Sequence, residues 1–232
     1  MPIRNIKVLP TLPFSVLSIQ DITDTLTSRS PDPETPRTPE QITHIAVHHS
    51  AVEGGTIKGY ADYHVNTLKW AHIGYHAVIK GNQIYQTNDL LTFSYHTSSN
   101  NHYTVSVSVS GDLSKRPLTD DERNCLYATI LTYMDIFNIP VENVLGHNEY
   151  PSNNTACPCI SMDQVRKDIK TIQMKMLQQN TWSAKMKNVA DIVNQINYLT
   201  DLMKKGENDG NAVWAANAFG DVADIMRSKH LL

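Results

Sequence analysis

Two hydrophobic periods alternate along the first three quarters of this 232-residue chain, and they predict its elements. Residues 42–48 are a mostly apolar run that reads as a strand and ends at His48. Thr56 is placed to cap a helix whose Ile57, Tyr60, Ala61, His64 and Leu68 recur on one face. Residues 74–80 and 83–87 read as two strands joined at Gly81-Asn82, a hairpin signal. From Tyr103 to Ser110 the alternation is strict, with Val105, Val107 and Val109 on one face and Ser106, Ser108 and Ser110 on the other, the pattern of a half-buried strand. Thr119-Asp-Asp-Glu122 has the form of a capping box. It opens a helix to Phe137 with Leu126, Ile130, Leu131 and Met134 as its stripe, and Pro140 stops it. Ser161-Met-Asp-Gln164 repeats the form and opens a helix to about residue 179. Beyond Trp182 the period is helical throughout, first over Met186, Val189, Ile192, Val193, Ile196 and Leu199, then over Val213, Ala216, Phe219, Val222, Ile225 and Met226.

Strands alternating with helices predict an α/β domain over residues 41–179. Before it, residues 1–40 form an N-terminal arm and linker, since SRSPDPETPRTPE at 28–40 holds four prolines among mixed charges and suits an extended surface strap. After it, residues 180–232 form a small helical unit. A pair of helices this small buries little alone, so it is expected to dock on the main domain, on another copy or on a partner.

Composition narrows the function classes. With a net charge of −3 the chain has no basic footprint for nucleic acid. No stretch is long and apolar enough to span a bilayer. Pro10 and Pro13 interrupt the apolar segment at 6–19, which reads as an arm and not as an export signal. The three cysteines are odd in number and two are only two residues apart, which disfavours a disulfide framework and favours a metal or free-thiol role. Cys125, among Leu126, Ile130 and Leu131, reads as a small core residue.

The residues that carry chemistry are His48, His147 after Leu145-Gly146, and Cys157 before Pro158. Two neutral imidazoles and one thiolate suit Zn²⁺, and three protein ligands leave its fourth position open, the catalytic arrangement. Strand parity by itself does not choose between His48 and His49. A structural zinc would need a fourth ligand, for which His49, His96 or Cys159 are the available candidates.

Taken in order, Ile45-Ala-Val-His-His-Ser-Ala51, Gly74-Tyr-His-Ala-Val-Ile-Lys80, Tyr95-His96 with Asn101, Gly146-His147-Asn-Glu149 and Ala156-Cys157-Pro158 resemble the zinc-dependent N-acetylmuramoyl-L-alanine amidases. This is the type-2 amidase family of phage lysins and peptidoglycan recognition proteins, and the likeness runs from about residue 42 to 165. It implies a central mixed β-sheet flanked by helices, zinc as cofactor and bacterial peptidoglycan as partner. It makes His48, His147 and Cys157 the zinc ligands and Tyr75 and Thr155 catalytic. His96, Trp70 and Asn101 become substrate-groove residues. His49 either lines the cleft or packs behind the metal, and Glu149 steadies the loop or a ligand imidazole through a hydrogen bond.

Two departures stand out against that family. The His147–Cys157 interval is two residues longer than in compact phage relatives, through Ser152-Asn153-Asn154. Ser108 stands where several relatives carry a catalytic glutamate. The resemblance further implies a phage or prophage endolysin made in the host cytoplasm and released to the cell wall. The alternative is a non-catalytic recognition module, against which the retained Cys157 argues. Separately, Ala212-Val-Trp-Ala-Ala-Asn-Ala is faintly similar to small helical repeats found beside phage lysin domains, which suggests wall attachment or self-association for residues 180–232; the alternative there is a helical pair completing the core.

Overall fold

A computed structural model describes residues 1–177, except 31 and 33, together with 193–194. The helical pair expected over 182–232 lies outside the described residues, apart from 193 and 194, which are helical. Residues Met1–Gln173 form one compact unit.

Its centre is a six-stranded sheet built from β1 (Gln20–Asp21), β2 (His44–His49), β3 (Ala77–Lys80), β4 (Gln83–Gln86), β5 (Thr104–Val109) and β6 (Val144–Gly146). The order is β1-β4-β3-β5-β2-β6. Only the β3–β4 hairpin is antiparallel, turning at Gly81 with φ +59°, so the sheet is mixed as expected. Helix α1 (Ile57–Asp62) starts where Thr56 Oγ1 accepts from the Gly59 N–H at 3.0 Å, and one wider turn, Tyr63–Thr67, prolongs it. Ile57, Tyr60 and Ala61 pack with Ile73 and Val78, whereas Leu68, expected on the same face, is exposed.

Helix α2 (Asp120–Phe137) carries the predicted capping box in full. Glu122 N–H donates to Thr119 Oγ1 at 3.2 Å, and Thr119 N–H donates to the Glu122 carboxylate at 3.0 Å. Asn138, in the left-handed region, ends it. It packs against β3, β4 and β5 through buried Leu126, Ile130 and Leu131, with Cys125 in the same core. A third helix, α3, covers residues 162–177; its Gln164 N–H is capped by Ser161 Oγ at 3.2 Å.

One expectation changes. β5 is buried along its whole length, serines included, and is not half-exposed. It lies between β2 and β3, so both edges are paired, and its serine face points into the polar interior described below.

The N-terminal 40 residues are part of the compact unit. Ile6 is buried, β1 extends the sheet beside β4, and the proline-rich strap is stitched down by its charges. Asp32 meets His72 at 3.1 Å, Glu34 accepts from the Tyr95 hydroxyl at 2.5 Å, and Arg37 is buried.

Candidate metal centre and groove

Register decides between the two strand-end histidines. β2 pairs with β5 so that His48 lies opposite Ser108, on the face shared by Ala46 and Ser106. His49 falls on the other face, where its Nδ1 accepts from the Leu113 N–H at 3.0 Å and its Nε2 lies 3.8 Å from Cys159 Sγ. It therefore packs behind the strand and is not among the groove residues.

His147 begins a short turn directly after β6, the strand that pairs with β2 on its far edge. The approach is close at Gly146, where a Cβ would sit 2.6 Å from Asn148 Oδ1 and 2.8 Å from Pro158 Cδ. That contact brings the Cys157–Pro158 segment under the end of β2. Cys157 Sγ lies 3.7 Å from His48 Nδ1, and the His48 and His147 ring centroids are 4.6 Å apart. The ligand atoms of His48, His147 and Cys157 all fall within 4.8 Å of one another. Tetrahedral zinc holds N and S ligands at about 2.0–2.3 Å, hence about 3.3–3.8 Å from each other. The donor set and spacing fit zinc with small side-chain adjustments.

Electrostatics favour the same ion. Burial, then the neighbouring His96, His147 and His49, hold the His48 pKa well below its usual value. Burial also lowers His147, opposed by its hydrogen bond to Asn153. Both rings are thus neutral and ready as ligands near pH 7. Burial pushes the Cys157 thiol up to about 11, so a cation is needed there to hold its thiolate at neutral pH.

Around these three, each ring has a hydrogen-bond partner. His48 Nε2 meets His96 Nδ1 at 3.3 Å, and His96 Nε2 meets Thr104 Oγ1 at 3.3 Å. His147 Nε2 meets Asn153 Oδ1 at 3.0 Å. Glu149 takes the loop role and not the imidazole one: its carboxylate accepts from the Gly146 N–H at 2.8 Å and pairs with Arg166 at 2.9 Å. Tyr75 stands against the cluster, its ring centroid 5.5 Å from His48. Burial and the nearby Cys157 raise its pKa, against an opposing pull from Ser108, so the hydroxyl keeps its proton. Ser108 Oγ is buried near that hydroxyl but beyond hydrogen-bond distance of any partner among the described residues. Gly74, just before Tyr75, is needed for a close approach: a Cβ there would lie 2.6 Å from Tyr95 O and 2.8 Å from Trp70.

A groove of about 440 Å³ opens beside the cluster. Trp70, His96, Asn101 and Thr155 line it, together with His147 and Asn153. Thr155 Oγ1 accepts from the Cys157 N–H at 3.1 Å, which leaves its own proton to donate. Asn101 organises the loop: its Oδ1 accepts from the N–H groups of His96 at 3.0 Å and Thr97 at 2.7 Å. Cys159 stays outside the ligand cluster, against His49.

Two residues escaped the sequence reading. Asn153 sits in the stretch noted only for its length, and Arg37 in a segment noted only for its prolines. Among the described residues no carboxylate is bonded to Arg37. Its guanidinium donates to the carbonyls of Leu90 (3.0 Å), Thr92 (2.8 Å), Asn101 (2.9 Å) and Thr104, and reaches His76 Nε2 at 2.9 Å. No signal local to the sequence marks either residue.

The family profile described as N-acetylmuramoyl-L-alanine amidase matches residues 38–160. No curated protein matches the sequence. Among solved structures, the chain is similar to the endolysin N-acetylmuramoyl-L-alanine amidase LysCS from Clostridium intestinale (TM-score 0.58, 18% identity), covering 67% of this chain and 97% of that one. It is also similar to Drosophila PGRP-LB (0.53, 20%; 60% and 86%). The Ph2119 endolysin of a Thermus scotoductus bacteriophage is a third (0.51, 19%; 65% and 98%). At such identities these likenesses concern the fold, a mixed sheet with flanking helices. Among the described residues no helix is long and apolar enough to cross a membrane.

Proposed function

The chain belongs to the N-acetylmuramoyl-L-alanine amidase family, and from that premise we propose that it hydrolyses, with zinc, the amide between N-acetylmuramic acid and L-alanine in bacterial peptidoglycan. The observation that carries this reading is the His48, His147 and Cys157 cluster, its ligand atoms within 4.8 Å, beside a groove that His147 also lines. Zinc held by these three residues supplies Lewis acidity and a water acidic enough to ionise near neutral pH.

The chain's own groups do the rest. Trp70, His96 and Asn101 take the glycopeptide in the groove and orient the scissile amide toward the cluster. Tyr75, protonated at all working pH values, donates to the carbonyl oxygen as negative charge develops there. Thr155, whose oxygen is already engaged by Cys157 N–H, turns its proton toward the same oxygen or the leaving nitrogen. Ser108 supplies no carboxylate, so a general base on β5 is not part of this proposal. The role that fits the reading is that of a phage or prophage endolysin, made in a host cytoplasm and acting on the wall after release.

Digestion of purified peptidoglycan, followed by mass spectrometry, tests the reading. Free stem peptides beginning with L-alanine are expected, abolished by a zinc chelator and restored by Zn²⁺. Intact sacculi that retain the protein would instead make it a recognition module, and cleavage at another bond would reject the substrate assignment. Within the reading, Tyr75→Phe is expected to lower kcat by roughly a hundredfold, the usual cost of one lost oxyanion donor. Zinc content should be unchanged; a Tyr75→Phe variant that turns over at the wild-type rate removes tyrosine from the catalytic set.

A further inference from the structure

The structure assigns a positioning role to Asn153: its side-chain oxygen fixes the tautomer of His147, and its side-chain nitrogen ties the two walls of the groove together. The inference rests on the zinc reading above and extends it to a residue in the Ser152-Asn153-Asn154 stretch, where the His147–Cys157 interval is long.

Which end of the amide faces His147 is settled by its other partners. Asn153 Nδ2 donates to Pro151 O at 3.1 Å and to Thr97 O at 3.3 Å. Carbonyl oxygens only accept, so the nitrogen must face them, and Oδ1 must face His147 Nε2 at 3.0 Å and the Ser98 hydroxyl at 3.0 Å. An amide oxygen only accepts. His147 Nε2 therefore carries the hydrogen, and a neutral imidazole with Nε2–H keeps its lone pair on Nδ1.

His48 is held through a different partner. Its Nδ1 is the atom 3.7 Å from Cys157 Sγ, and its Nε2 is bonded to His96. Two unrelated partners, His96 from the loop before β5 and Asn153 from the loop after β6, thus hold both rings with Nε2 turned outward. Partners of this kind raise ligand basicity and fix ring orientation.

Asn153 differs from His96 in what else it holds. Through Thr97 O and Ser98 Oγ it joins the loop at 97–98 to the loop at 150–155, and Ser98, Asn153 and Thr155 all line the groove. The side chain that orders the ligand also sets the separation of the walls. Metal retention and groove shape are coupled through one amide.

The substitutions separate the two functions. Asn153→Ala removes both. Asn153→Asp keeps an oxygen acceptor on His147 but loses the two donations from nitrogen. Ser98→Ala removes only one tie between the walls. In the full chain, zinc affinity measured by competition with a chromophoric chelator is expected to fall on the order of 10–100-fold in Asn153→Ala, the range for losing a ligand's hydrogen-bond partner. Asn153→Asp is expected to hold zinc as wild type does while its KM for peptidoglycan rises, and Ser98→Ala to follow it in weaker form.

In the zinc-free protein, a long-range ¹H–¹⁵N spectrum should show His147 as the Nε2–H tautomer in wild type and as a mixture in Asn153→Ala. This spectrum reads the assignment without metal or activity. Wild-type zinc affinity in Asn153→Ala, an equal loss in Asn153→Asp, or an Nδ1–H tautomer in wild type would each overturn the inference while leaving the amidase reading standing. A wild-type protein that takes up no zinc would overturn both.

Discussion

Cys157→Ala is expected to abolish stoichiometric zinc and to lower amide hydrolysis far beyond the roughly hundredfold that loss of a single transition-state donor costs. The reason is the ligand count. His48, His147 and Cys157 are the only cluster of potential metal ligands among the described residues, so removing the thiolate leaves two neutral imidazoles. Neither holds charge, and the anionic partner that most strongly offsets the ion's lost hydration is gone. Cys157 is not itself a credible nucleophile: burial pushes its thiol up to about 11, leaving little thiolate near pH 7 without a cation. Cys159 is the control. Its Sγ faces His49 on the far side of β2, 3.8 Å from Nε2, and Cys159→Ala should keep both zinc and activity. Metal analysis after gel filtration checks both variants. A Cys157→Ala protein that still carries one zinc would mean that the cluster is not the metal site.

The local signals in the sequence were sufficient for the capped helices and the hairpin, but not for the short strands β1 and β6, which are defined by their pairing with β4 and β2. The Thr119–Glu122 box, the Gly81-Asn82 turn and the Thr56 cap are each decided within a few residues, and each is where the pattern put it. What the pattern could not hold was direction. His48 and His49 are equally good strand-end histidines until β2 is registered against β5, and only then does His48 share a face with Ser108. The serines of β5 read as a solvent face for the same reason. Alternation reports two unlike faces but not what covers them, and here the serine face meets His76 and the buried interior: Ser106 Oγ lies 3.0 Å from His76 Nδ1. Among the site residues, those in short motifs were legible because a strand end or a Gly-His step places them. Asn153 was not, because its four partners come from two loops. Glu149 was legible only in part: its neighbourhood to His147 was visible, while its pairing with Arg166, 17 residues on, was not.

Arg37 is the residue that composition hid most completely, and Arg37→Met is expected to be the most destabilising single change in the described chain outside the apolar core. It sits at 5% exposure, held by main-chain carbonyls 53–67 residues away. Burial lowers its pKa to about 10, with Asp89 opposing, so it stays cationic at neutral pH. Methionine fills much of the volume but leaves the oxygens of Leu90, Thr92, Asn101 and Thr104 without this donor in a dry site. A buried carbonyl left without its donor costs about 1–3 kcal/mol, so losing this set of charge-assisted donors is expected to cost about 3–5 kcal/mol after relaxation. For a unit of this size that corresponds to a Tm lower by about 10 °C. Lysine should rescue little, since one ammonium with three donors cannot reproduce a planar fork that serves several carbonyls at once. The effect should reach the site as well. The carbonyls of Leu90, Thr92 and Asn101 belong to the segment between β4 and β5 that carries Tyr95, His96 and Asn101, Thr104 begins β5 itself, and His96 is the partner of His48 Nε2. Zinc affinity of Arg37→Met, measured well below its melting temperature, is therefore expected to fall in parallel with stability. Unchanged melting would show that the carbonyls find other donors; a lowered Tm with wild-type zinc affinity would show that the loop holds His96 without the guanidinium.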